Sequence, residues 1–301
     1  MVYTSFDQIV EKTKGSTSPK RMAVAAAADE HTLEAVLRAR REQIALPLLV
    51  GDKKKILEIL SHMGETIDES DIYDSDTASA AVIAVSLIKQ GKADFLMKGF
   101  IDTGAFLKAV VNKENGLAKS PLLSLFSVFE TKGYHKLLAA VDGGMVPYPT
   151  LEQKKLIIDN TVEAFLRLGY TCPKVGVLAC VETINPKMPE TVEADALAQM
   201  NRRGEIENCI VDGPISYDCA VSAEIAKAKG YKGETAGDVD ILVAPNIHAG
   251  NIMGKMLTCT FGAKMAGVVM GASCPIILTS RGATAEEKYL AIALSAAMSA
   301  E

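Results

Sequence analysis

The sequence has no tryptophan, four widely separated histidines, and six cysteines that form no Cys-x-x-Cys pair. Zinc sites draw on thiolates and imidazoles at close spacing, so no metal centre is expected. No N-terminal apolar run has signal-peptide length, and no uninterrupted apolar stretch reaches the roughly 18 residues a membrane helix needs. With cysteines such as Cys180 and Cys209 set as small hydrophobes in apolar runs, a reducing cytoplasm is the expected compartment and a membrane is not an expected partner. Basic charge is not in excess either. A formal net charge of -5 gives no reason to expect nucleic acid as a partner. A G-x-G-x-x-G fingerprint after the first strand is missing, as is an aspartate cluster for a divalent ion. No repeat or low-complexity linker divides the chain.

What is present is an ordinary soluble composition, 49% hydrophobic and 23% charged over 301 residues, enough for two domains of about 150 residues. A helical pattern at Ser5 to Lys14 precedes a strand at Met22 to Ala26, a helix from Asp29, a strand at Leu46 to Val50 and a helix carrying Ile56 to Leu60. A helix from Ser75 to Lys89, a strand at Asp94 to Met97 and a helix over Ala105 to Val111 continue the alternation. Two apolar runs, Leu122 to Phe129 and Lys136 to Val141, read as paired neighbours before an amphipathic helix over Leu151 to Leu168. A second alternating series runs from Lys174: strands at 174–179, 208–212, 240–244 and 266–270, and helices at 190–202, 216–229 and 250–260. Strand-helix alternation predicts parallel sheets with helices on their faces, hence two doubly wound α/β lobes. We expect a first domain of residues 1–135 and 275–301 and a second of 136–274.

Polar chemistry gathers near the end of the chain. Ile276 to Leu278 reads as a buried strand followed by Thr279-Ser280-Arg281-Gly282 and a helix that Thr284 can cap, with Glu286 and Glu287 in its first turn. A hydroxyl, a guanidinium and a carboxylate therefore meet at a strand's carboxyl end, where open α/β sheets place ligands. Two further stretches share this character: Asp212-Gly213-Pro214, and Pro245-Asn246-Ile247-His248-Ala249-Gly250-Asn251 leading to Lys255. Taken in order with Ser280-Arg281-Gly282, and with Gly51-Asp52, Met97-Lys98-Gly99 and Ile184 to Pro189, they resemble the phosphate acyltransferase family. The N-terminal half is most similar to its phosphate butyryltransferase branch, and the likeness covers nearly the whole chain.

The resemblance implies an isocitrate/isopropylmalate dehydrogenase-like fold with the last segment crossing back to the first domain, an active-site cleft between the lobes, and an even-numbered homo-oligomer, a homodimer or larger. It also implies exchange of the thiol of coenzyme A for inorganic phosphate at an acyl carbon, with coenzyme A as substrate and no tightly bound cofactor. Butyryl is the favoured acyl group and acetyl the alternative. Arg281 would bind phosphate, a planar cation with paired donors. Ser280 would hydrogen-bond the sulfur or the carbonyl oxygen. In acetyl-transferring members an aspartate seven positions after the motif serine takes the thiol proton; this chain departs from them with Glu287 there, and Glu286 is its neighbour and rival. Asn246, Gly250 and Asn251 suit phosphate or the acyl carbonyl, or else an N-cap with a glycine turn. Lys255, Lys98, Gly99, Thr103 and Lys108 are further substrate-binding candidates, and Asp212 is either structural or substrate-facing.

Two other readings stand beside this one. A two-lobed hydroxy-acid dehydrogenase would need a metal and a nicotinamide, for which the ligand cluster and fingerprint are lacking. A non-catalytic protein on the same fold is the other, because fold alone does not fix function.

Overall fold

The computed structural model describes residues 2–280 and 282–299. The chain divides into two compact units. One, the outer unit, comprises Asp7–Pro121 and Ala266–Glu301; the other, the central unit, comprises Met1–Phe6 and Leu122–Met265. The borders fall at 121/122 and 265/266, where 135/136 and 274/275 were expected. The strand β5 (Ser124–Glu130) explains the first displacement, because it pairs antiparallel with β6 (Leu138–Val141) and a border at 135 would part them.

The outer unit opens with α1 (Phe6–Thr13), then β1 (Lys20–Ala25), α2 (Glu30–Arg41), β2 (Ala45–Gly51) and α3 (Lys53–His62). A short strand β3 (Ile72–Asp74), α4 (Thr77–Lys89), β4 (Phe95–Lys98) and α5 (Thr103–Val110) follow. The chain returns late with β10 (Lys264–Met270), β11 (Ile276–Ile277) and α11 (Ala285–Met298). The strands lie in the order β3-β2-β1-β4-β11-β10. All neighbours are parallel except β10 and β11. Met22 to Ala25 of β1 are fully buried, as a strand covered on both faces requires. Helix α11 owes its start to a capping box: Thr284 Oγ1 accepts from the Glu287 amide at 3.1 Å and the Glu287 carboxylate accepts from the Thr284 amide at 2.9 Å. From Lys288 to Met298 every residue is buried, which accounts for its alanine-rich, nearly uncharged sequence.

In the central unit the strands run β5-β6-β9-β7-β8, with β7 at Lys174–Leu178, β8 at Ile210–Ile215 and β9 at Ile241–Val243. Only β5 and β6 are antiparallel. Its helices are α6 (Leu151–Leu168), α7 (Pro189–Arg202), α8 (Tyr217–Val221), α9 (Ala223–Lys229) and α10 (Ile247–Lys255). The bounds of α6 agree with expectation because both ends are marked: Thr150 and Gln153 form a capping box, and Gly169 ends the helix at φ +97°. The single helix expected at 216–229 is two, because Ser222 adopts an extended backbone and its side chain caps α9. No helix is long and apolar enough to cross a membrane among the described residues.

Candidate functional site

From β1 the outer unit winds one way through β2 to β3, then returns to the other side of β1 with β4. The two crossovers diverge there and leave a crevice beyond the strands' carboxyl ends, the topological switch point at which open sheets bind ligands. A pocket of about 290 Å³ lies at that position, lined by Asp29 after β1, Lys98 and Gly99 at the end of β4, Thr279 and Ser280 after β11, and Lys288 of α11. Three separated stretches of sequence therefore share one pocket.

Lys98 is only 4% exposed, and its ammonium donates to the Gly99 carbonyl at 3.3 Å. Gly99 is required by close approach: a Cβ there would stand 2.3 Å from the Ala26 carbonyl oxygen. The exposed Ser280 accepts from the Gly282 amide at 3.3 Å, and its carbonyl accepts from Ala283 at 3.1 Å, which turns the chain toward α11. Arg281 lies outside the described residues. Glu287 is half-buried and has one carboxylate oxygen on the Thr284 amide. Its neighbour Glu286 is exposed and ion-pairs with Arg38, whose guanidinium stacks 3.6 Å over the Tyr289 ring. Thr103 and Lys108 sit on α5 with exposed side chains outside the pocket lining, whereas Asp102, the cap of that helix, reaches it.

The pocket residues not singled out from sequence include Asp29, His31, Asp102 and Lys288. Asp29 was read only as a helix start, and it does cap α2, accepting from the Thr32 amide at 2.9 Å. The same carboxylate receives the Lys288 ammonium at 3.3 Å. Burial by itself would raise the Asp29 pKa, but the Thr32 hydrogen bonds and the Lys288 charge outweigh it and hold it below the ordinary range. Lys288 is 7% exposed and hidden in an alanine-rich run. Its one available signal was a lone cation in an otherwise buried helix.

The central unit has its own switch point between β7 and β9, since the chain passes from β7 to β8 on one side and to β9 on the other. A crevice of about 570 Å³ lies beyond those strand ends, lined by Leu178, Cys180, Met188, Tyr217, Ala244, Pro245, Ala249, Met253 and Leu257 among others. Its walls are mostly apolar, so it suits an aliphatic or aromatic group and not an anion. Helix α10 divides its residues: Ala249, Ile252 and Met253 face the crevice, as does Met256 just beyond it, while Gly250 and Asn251 turn to the 142–145 segment. Asn251 Nδ2 donates to the Gly143 carbonyl at 3.0 Å, and a Cβ on Gly250 would lie 2.7 Å from the Asp142 carbonyl oxygen. Asn246 caps α10, accepting from the Ala249 amide at 3.1 Å, and Lys255 ends it with an exposed side chain. The 142–145 turn is held by the buried Asp142 carboxylate, which accepts from the amides of Leu125, Gly144 and Met145 at 3.2, 2.7 and 2.9 Å. Burial outweighs those bonds and raises its pKa. Asp212 is buried and accepts from the Thr235 amide at 2.8 Å, a contact that ties β8 to the 233–235 loop.

Among the described residues one group offers metal-ligand atoms at mutual reach, Glu182, Asp218 and Cys219. A cation already sits in it: the Lys229 ammonium lies 2.9 Å from both carboxylates. Hydrogen bonding from Ser216 and the Lys229 ammonium brings the Asp218 pKa down to about 2.

The outer unit's pocket brings two ammoniums and a hydroxyl together with the carboxylates of Asp29, ion-paired to Lys288, and Asp102, which caps α5, and its donors can meet an anion. Comparison with known proteins extends this reading. The model of the family described as "Phosphate acetyl/butaryl transferase" matches residues 76–296. The phosphate butyryltransferase of Clostridium acetobutylicum is 43% identical over 293 residues, covering 97% of each chain. The solved structure of a branched-chain phosphotransacylase from Enterococcus faecalis V583 superposes with a TM-score of 0.82 at 30% identity, over 93% of this chain and 99% of that one. A 4-hydroxythreonine-4-phosphate dehydrogenase from Klebsiella pneumoniae, at 11% identity over 94% of this chain and all of that one, shares the fold with a TM-score of 0.59. With a family model spanning most of its length and a relative above two-fifths identity end to end, the chain belongs to the phosphate acetyl/butyryltransferase family.

Proposed function

We propose that the protein exchanges coenzyme A for inorganic phosphate on a short acyl group: acyl-CoA and phosphate become acyl phosphate and CoA. The observation that carries this reading is that Ser280 and the Lys98-Gly99 pair, from separate motifs, line one anion-suited pocket at a switch point in a chain of this family. A phosphate oxygen attacks the thioester carbon in a ternary complex, the C–O bond forms, and the C–S bond breaks with the electron pair leaving on sulfur. The sulfur then takes a proton. Arg281 and Lys98 neutralise phosphate, and Ser280 donates to the developing charge on the carbonyl oxygen or the sulfur. Asn246, Gly250, Asn251, Lys255, Thr103, Lys108 and Asp212 remain substrate-binding candidates of lower rank. For Asn246 and Asp212, the cap of α10 and the tie to Thr235 support structural roles instead.

Glu287 is the group we assign to the thiol proton. Its rival Glu286 is engaged with Arg38, which supports the choice. In the reverse direction Glu287 removes the proton from CoA before sulfur attacks acyl phosphate, so the same residue serves both directions. Coenzyme A enters as substrate, and no bound cofactor or metal takes part in the reading. Butyryl is the favoured acyl group and acetyl the alternative, on the likeness to the phosphate butyryltransferase of Clostridium acetobutylicum. We further assign the protein to the cytoplasm, in keeping with six free cysteines, and to a homodimer or larger assembly, which sedimentation would measure.

The deciding experiment follows thiol release with Ellman's reagent from acetyl-, propionyl-, butyryl- and branched acyl-CoA at saturating phosphate. Phosphate-dependent release with a maximum at four carbons is expected. Release that ignores phosphate, or none with any acyl chain, would sink the proposal.

A further inference from the structure

We propose that Lys288 is a substrate-binding residue, whose ammonium joins Lys98 in binding a phosphate group in the outer unit's pocket. The inference rests on the transacylase reading and adds to it a residue that no motif marks. Lys288 lies at the fourth position of α11, one residue after Glu287, and lines the same pocket as Ser280 and Lys98. Its side chain is 8% exposed, so the ammonium has been taken almost wholly out of water. An ammonium carries three donors. Two are met, by Asp29 Oδ2 and Thr32 Oγ1, both at 3.3 Å and so longer than the usual charge-assisted contact of about 2.7 to 2.9 Å. The third donor is left to whatever enters the pocket.

Asp29 is built to hold this cation in place. It is fixed by its own cap to α2, through the Thr32 amide and hydroxyl, so it cannot swing away with the lysine. A buried ion pair of this kind adds little net stability, because desolvation of two charges roughly offsets their attraction. A purely structural tie between α2 and α11 would be served as well by apolar side chains. A desolvated, clamped ammonium at a pocket wall is what binding of a phosphate dianion requires, since the cation meets its ligand with little reorganisation. Phosphate reaches such a site in two forms, as inorganic phosphate or the phosphoryl end of acyl phosphate, or as the ribose phosphate monoester of coenzyme A.

The test measures Lys288→Met and Lys288→Arg with phosphate, butyryl-CoA and the butyryl-dephospho-CoA that lacks the ribose phosphate. If the ligand is inorganic phosphate, Lys288→Met raises its KM roughly ten- to a hundredfold with little change in the KM of butyryl-CoA, and the arginine recovers part of the loss. A rise confined to the KM of butyryl-CoA, and absent with the dephospho analogue, keeps Lys288 as a phosphate ligand and assigns the ribose phosphate as its partner. A lowered melting temperature with every KM unchanged overturns the proposal and leaves a structural ion pair. Should Lys288→Met fail to fold, reductive methylation of the unaltered protein, read by mass spectrometry, decides instead: inorganic phosphate or CoA shields Lys288 if it binds there. Equal labelling with and without both ligands overturns the proposal. If the wild type shows no phosphate-dependent thiol release, the transacylase reading fails, while shielding of Lys288 still reports on the anion site.

Discussion

At the scale of single residues, the two charges expected at the reacting centre have distinct signatures. Arg281→Ala should raise the KM for phosphate, since a bidentate contact to an anion contributes about 1.5 to 3 kcal/mol, and Arg281→Lys should recover only part. Unchanged phosphate dependence would place Arg281 outside the site. For the proton, a thiol of pKa about 8.5 is mostly protonated at neutral pH, so a positioned carboxylate speeds its attack on acyl phosphate by roughly 100 to 10,000-fold. Glu287→Gln should therefore lower turnover in the CoA-acylating direction far more than it weakens CoA binding, with partial rescue as pH rises toward the thiol pKa. Glutamine serves the capping box as well as glutamate, so the start of α11 survives the change. Glu286→Gln loses only the contact with Arg38 and should matter little; damage from it instead would move the base by one residue. Ser280 was legible as part of a polar stretch at a strand's end and Lys98 through the family resemblance, and both line the outer unit's pocket. Lys288 and Asp29 were not legible, since a lysine within an alanine-rich helix and an aspartate before a helix each have an ordinary local explanation, and only the fold brings them within 3.3 Å of each other.

Among elements, β1 and β4 are held at the switch point by the absence of a side chain. With Gly99 donating to the Ala25 carbonyl at 2.8 Å and no room for a Cβ against Ala26, Gly99→Ala must push the end of β4 away from β1. Such overpacking costs about 1 to 3 kcal/mol, and here it also shifts Lys98. Both a lowered denaturation midpoint and reduced activity are expected; an alanine variant with wild-type stability would show that the strands close without the glycine. Long periodic helices and fully apolar strands were readable in the sequence, α6 to the residue. The three-residue β3 was not, because only Ile72 in it is buried and a single apolar position carries no period. The division of α8 from α9 was missed for a related reason, since Ser222 reads as an ordinary polar helix position until its backbone is seen to be extended.

For the molecule as a whole, acid stability should depend on a charge network in the central unit. Asp238 meets His135 at 2.9 Å, Lys136 at 2.9 Å and Lys174 at 2.6 Å, while Lys136 reaches Asp240 at 2.7 Å. Burial alone would raise the Asp238 pKa, but hydrogen bonds from Lys174, Lys136 and His135 hold it far below the ordinary carboxylate range. A depressed folded-state pKa contributes stability that is present above the unfolded value of about 3.9 and lost as pH falls below it. Asp238→Asn should thus lower the melting temperature at pH 7, and the gap to the wild type should narrow below about pH 4 in a pH series. A gap independent of pH would show that packing and not charge is lost. The discontinuous outer unit sets a timetable as well. Met97 of β4 pairs with Ile277 of β11, which leaves the ribosome roughly 180 residues later, or roughly 10 to 40 s at ordinary rates of synthesis. For that interval the nascent chain carries β4 with its outer edge unpaired while the central unit is made and can pack. An open parallel edge is a template for a neighbouring chain, so crowded polysomes are where this protein is most exposed to mispairing, and its last two dozen residues are what end the hazard.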